Sequence, residues 1–175
     1  MLALLAESPR HGWGIASVVA RDGELGSVWT MARPLVYTSL RQLETDGLIA
    51  AAGLERGERG PHRVIFRATP AGRKAVQAWL RQPVEHVRDI RSLFLLKVVL
   101  AQRAEVDTEP LLVAQRAVML PFVAFLEARL EDVDPSAEPT ESTVLHFRLE
   151  TAQTTVRFID AMLADVRKKT RKRNR

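Results

Sequence analysis

The chemistry-bearing side chains of this 175-residue chain concentrate in one short stretch, Arg33, Leu35, Tyr37, Thr38, Arg41 and Gln42. Guanidinium, phenol, hydroxyl and amide groups on one side of a helix can donate hydrogen bonds to base edges and phosphates. Arg33, Leu35, Thr38, Arg41 and Gln42 suit the bases; Tyr37 suits the backbone. A second basic group follows at Arg56, Arg59, His62 and Arg63, in a pattern that neutralises phosphates and so positions a duplex. The first group alone is no more than the wet side of an amphipathic helix. The second group turns the reading toward nucleic acid.

Other chemistries find no support. There is no cysteine, hence no disulfide, thiolate nucleophile or thiolate metal site. His11, His62, His86 and His146 are scattered without metal-ligand spacing. The glycines of "GLERGERG" have the wrong spacing for a phosphate loop and serve a hairpin turn instead. His11 reads as a helix-start residue, and Trp13, Trp29 and Trp79 as core or subunit contacts. No enzyme and no cofactor are expected.

The elements that hold these groups follow from periodicity. A helix over Pro34–Asp46 turns Val36, Leu40 and Leu43 inward, with Pro34 at its first position and Gly47 just past its end. Two helices precede it, from Met1 to Glu7 and from His11 or Gly12 to Arg21. After Leu48 the period falls to two: a strand over Ile49–Glu55 and another in "HRVIFRA" flank the tip "RGERG", which carries Arg56 and Arg59. Thr69 and Pro70 then start a closing helix that buries Val76, Trp79 and Leu80. Three helices, a two-stranded wing and a closing helix make a winged helix-turn-helix over residues 1–82.

Beyond it the chain reads as an α-helical dimerisation domain over residues 83–166. Leu145, Leu149, Ala152, Val156, Ile159, Leu163 and Val166 recur at alternating steps of four and three, a heptad seam whose first six members are the expected dimer contacts. Leu112, Met119, Leu126 and Val133 repeat every seven residues in the preceding helix, where Pro121 should introduce a kink. "DPSAEPT" joins the two helices, which should be antiparallel. Phe147 and Phe158 lie off the seam as apolar surface for a second copy. Charge is segregated. Residues 1–81 hold 11 Lys/Arg against 7 Asp/Glu, residues 82–166 hold 8 against 14, and residues 167–175 form a basic, disordered tail with 7 positive charges. No run of about 18 apolar residues suggests a membrane span, and the start lacks the features of a signal peptide. A cytoplasmic protein with no membrane partner is expected.

"LLAESPRHGWGI", "RPLVYTSLRQLETDGLI" and "RVIFRATPAGRKAVQAWL", in that order, resemble the PadR family of bacterial transcriptional regulators. The later helices are similar to the C-terminal domain of its longer, virulence-activator-like members. The resemblance implies a mainly α fold and a homodimer on a double-stranded DNA operator, acting as a repressor. It leaves open a small-molecule effector that tilts the long helices. The alternative is a winged-helix protein-interaction module with a disordered basic tail.

Overall fold

A computed structural model describes residues 1–55 and 62–173. The helices are α1 (Leu2–Glu7), α2 (Gly12–Val18), α3 (Arg33–Thr45), α4 (Pro70–Arg81), α5 (Leu95–Arg103), α6 (Glu109–Asp132) and α7 (Pro139–Arg173). The strands are β1 (Arg10–His11), β2 (Ile49–Glu55) and β3 (Arg63–Ala68). They form one antiparallel sheet in the order β1-β3-β2. The chain folds as two compact units, one of Met1–Leu80 with Arg91–Val106, the other of Arg81–Ile90 with Asp107–Arg175.

In the first unit α3 forms as its pattern dictates. Val36 and Leu40 are fully buried and Leu43 is half-buried. Its end is closed by two backbone bonds, Gly47 N–H to the Glu44 carbonyl at 3.0 Å and Leu48 N–H to the Leu43 carbonyl at 2.9 Å. These satisfy otherwise orphaned carbonyls and require a left-handed residue, which Gly47 supplies at φ 68°. The chain then enters β2 directly. At the start of α4 the Thr69 hydroxyl accepts from Gly72 N–H at 3.1 Å and donates to the Gly47 carbonyl at 2.8 Å. One side chain thus caps the closing helix and pins the end of α3. The shared core joins Leu4, Leu5, Ile15, Val36, Leu40, Ile49 and Leu80 to Leu100 and Ala101 of α5.

Three features of the fold depart from the sequence reading of this unit. The second helix stops at Val18, short of the expected Arg21. The wing gains a third strand, because Arg10 and His11 pair with Phe66 and Ile65 of β3; a two-residue strand is too short to show a period. The core also draws on α5, beyond the boundary expected after residue 82. An ion cluster ties α5 to α1: Arg103 donates to both carboxylate oxygens of Glu7 at 3.1 Å and pairs with Glu24 as well. These bonds raise the Arg103 guanidinium above its ordinary value, while the bond from Arg103 lowers the Glu24 carboxyl below its own.

In the second unit α6 and α7 run antiparallel, as the pairs Glu109–Arg167, Arg116–Asp160, Glu127–Gln153 and Arg129–Glu141 show. Leu112, Met119 and Leu126 face the α7 seam, where Ala152 and Ile159 are wholly buried and Leu145 and Leu163 nearly so. Leu149 and Val156 are half-buried. Gln115, fully buried, acts as a clasp. Its amide oxygen accepts from Val84 N–H at 2.7 Å and its amide nitrogen donates to the Val84 carbonyl at 2.9 Å. Pro121 sits inside a helix that continues through it.

By length and composition α6 is apolar enough to cross a bilayer, although polar residues interrupt its apolar run. Packing against α7 accounts for part of that apolarity, and Arg116, Glu127 and Arg129 make polar pairs with α7. Where order was expected to end at residue 166, α7 continues to Arg173. Lys and Arg form helices well, and their charge suits the negative end of the helix dipole.

Candidate nucleic-acid interface

The structure brings Arg33, Leu35, Tyr37, Thr38, Arg41 and Gln42 together on the exposed side of α3. Local hydrogen bonds sort them. The Thr38 hydroxyl donates to the Pro34 carbonyl at 3.1 Å, and the Gln42 amide donates to the Asp46 carboxylate at 2.8 Å. The guanidinium groups of Arg33 and Arg41 have no hydrogen-bonded partner among the described residues, so their forks stay available. Leu35 is 57% exposed, an apolar side chain held out beside them. Tyr37 leans the other way, over the backbone of α2: a Cβ placed on Gly12 would lie 2.7 Å from Tyr37 Cε1. Glycine is needed there to let the ring approach.

Of the second basic group, His62 and Arg63 are exposed, Arg63 opening β3. Arg56 and Arg59 lie outside the described residues. Arg63 forms the rung opposite Glu55, the last of the β2–β3 ladder toward the tip.

Two residues acquire roles that sequence reading did not assign. His11 does start a helix: its Nδ1 accepts from Gly14 N–H at 2.8 Å. Its other nitrogen, Nε2, lies 3.4 Å from the Glu55 carboxylate of β2. Trp13, expected in the core or between subunits, is 48% exposed, with the Arg63 guanidinium 5.4 Å from its ring centre. The "HGW" segment is plain in the sequence, but its partners are far along the chain. Trp79 and Trp29 are half-buried, as a core role would have it. The described residues hold no cluster of His, Asp and Glu fit for a metal ion.

The transcriptional regulator PadR-like family model matches residues 1–78, the span from α1 through most of α4. These residues are a PadR-like domain. Its third helix, wing strands and closing helix are the elements described above. The solved structure of Bacillus subtilis PadR in complex with operator DNA is similar at 20% identity and a TM-score of 0.46, with 94% of each chain covered. So is smu.1604c from Streptococcus mutans UA159, at 21% identity and a TM-score of 0.43, covering 93% of this chain and 95% of that one. The PadR-like transcriptional regulator BC1756 from Bacillus cereus is 20% identical with a TM-score of 0.38, 96% of each chain being covered. A search of curated proteins found no match.

Proposed function

We propose that this PadR-like regulator is a cytoplasmic, dimeric repressor that binds a double-stranded DNA operator and occludes a promoter. The observation that carries the reading is the outer face of α3. The guanidinium groups of Arg33 and Arg41 stand there without hydrogen-bonded partners among the described residues, on a helix anchored by fully buried Val36 and Leu40. A bidentate arginine is the commonest specific reader of guanine in the major groove. In this mechanism α3 enters that groove with Arg33, Leu35, Thr38, Arg41 and Gln42 toward the bases. Tyr37, His62 and Arg63 hold phosphates, which fix register without reading sequence.

Dimerisation fits the second unit, though not through the heart of its seam. Ala152 and Ile159 are consumed within one chain. What a second copy would cover is the other side of α7, where Val144, Phe147 and Phe158 are 48%, 72% and 40% exposed. These three fall on one stripe of the helix. A two-fold dimer presents two reading heads to a pseudo-palindromic site. An effector that prefers one arrangement of the long helices would shift affinity by its differential binding.

The test is a competition assay against random duplex, using sites selected from a random pool. The wild type should prefer a defined sequence. Arg41→Ala should lose about 1–3 kcal/mol on that site and relax preference at one base pair per half-site. A wild type without sequence preference would sink the reading and leave a protein-interaction module in its place.

A further inference from the structure

Three consecutive residues, His11, Gly12 and Trp13, touch the three parts that a winged helix must hold in register. His11 reaches β2 through Glu55, its Nε2 3.4 Å from the carboxylate. Gly12 reaches α3, because its bare backbone lies under the Tyr37 ring. Trp13 reaches β3, its ring 5.4 Å from the Arg63 guanidinium. Glu55 and Arg63 are themselves cross-strand partners, so both strands are gripped at one rung. The His11 and Trp13 rings are 6.0 Å apart and inclined by 36°, and they support each other.

The tripeptide is itself well fixed. His11 pairs with Ile65 in the sheet and caps α2 through Nδ1. With Nδ1 accepting, the neutral ring carries its proton on Nε2, the nitrogen aimed at Glu55. Arg63 is exposed, and a free arginine at a strand end would sample many rotamers. A tryptophan face restricts it through a cation–π contact.

We propose that His11-Gly12-Trp13 is a joint that sets the wing against the reading helix, with Trp13 the positioning residue that holds Arg63 for a phosphate of the duplex α3 reads. The joint rests on the DNA-binding reading, and it adds a role for residues that touch no base. Its function is to keep the phosphate contact of the wing and the base contacts of α3 in one register.

Affinity for the selected duplex, measured by fluorescence anisotropy across a salt series, tests the role. Trp13→Leu should bind several-fold more weakly and lower the slope of log affinity against log salt by about 0.9 for each phosphate that Arg63 no longer neutralises. Arg63→Ala should do the same, and the double variant should be no weaker than either single one. Trp13→Phe, which keeps an aromatic face, should retain the wild-type slope, and none of the variants should change which base pairs are preferred. A Trp13→Leu slope equal to wild type, or losses that multiply in the double variant, would overturn the proposal. The ring–guanidinium pair has a separate readout without DNA and without altering Trp13. Arg63→Ala should shift the indole N–H resonance of Trp13 and leave those of Trp29 and Trp79 in place; an unmoved Trp13 signal also overturns the joint. If the wild type prefers no duplex, the positioning role falls with the DNA reading, and a Trp13 signal that still responds to Arg63→Ala identifies that as the failure.

Discussion

Lys97 is 3% exposed, with its ammonium 4.8 Å from the ring centre of Trp79. Burial lowers its pKa below the ordinary lysine value of 10.5. The unfolded chain therefore binds more protons than the folded one between the two values, and stability from this group rises with pH across that window. Lys97→Met keeps the bulk and removes the charge. Its stability relative to the wild type should be more favourable at pH 7 than at pH 10, because only the wild type gains as the lysine loses its proton. Urea midpoints of both proteins at the two pH values decide it; a gap that does not change with pH would contradict the assignment. Residue-scale roles are unevenly legible in the sequence. The outer face of α3 can be read because helix period places Thr38, Arg41 and Gln42 opposite Val36 and Leu40, whereas Arg33 is exposed by its place at the start of the helix. Trp13 misleads, because a large aromatic near Ile15 and Val18 looks like core until its distant partner Arg63 is known.

The elements carry a second lesson in the way two helices end. The Gly47 closure of α3 is repeated at α5, where Glu105 N–H bonds the Gln102 carbonyl at 3.2 Å and Val106 N–H bonds the Ala101 carbonyl at 2.8 Å. The left-handed residue there is Glu105, at φ 53°. A side chain in that conformation is strained by about 1–2 kcal/mol, partly offset in any comparison by the greater freedom glycine loses on folding. Glu105→Gly should therefore stabilise the protein by about 0.5–1 kcal/mol, read as a higher denaturation midpoint with an unchanged slope. A lower midpoint would mean that the Glu105 side chain contributes more than its backbone strain costs. Gly47 announces its helix end in the sequence; Glu105 gives no such signal, since glutamate is not among the residue types that favour that turn. The third wing strand is equally hidden, because Arg10 and His11 take their extended form from β3 and not from local preference.

For the whole molecule the heptad pattern is legible, but a pattern does not say which surface fills it. Leu145, Ala152, Ile159 and Leu163 meet α6 of the same chain, and Val144, Phe147 and Phe158 form a stripe that stays exposed. Sedimentation at micromolar concentration should show a dimer. Phe147→Glu should dissociate it with the helices intact, whereas Ile159→Asp should unfold the hairpin, because a buried, unpaired carboxylate is costly. A monomeric wild type, or a Phe147→Glu protein that stays dimeric, would remove this surface from the mechanism. The first unit isolated for such work must include α5, since Leu100 and Ala101 belong to its core. The basic end of α7 has its own geometric consequence. In a helix, Arg167, Lys168, Lys169, Arg171 and Lys172 turn by about 100° per residue, and so spread their charges over more than half the circumference. An unstructured arm could lay every charge along one row of phosphates. A helical rod cannot turn all five at once toward a straight polyanion beside it, so the counterions it can release are limited by its shape and not by its total charge.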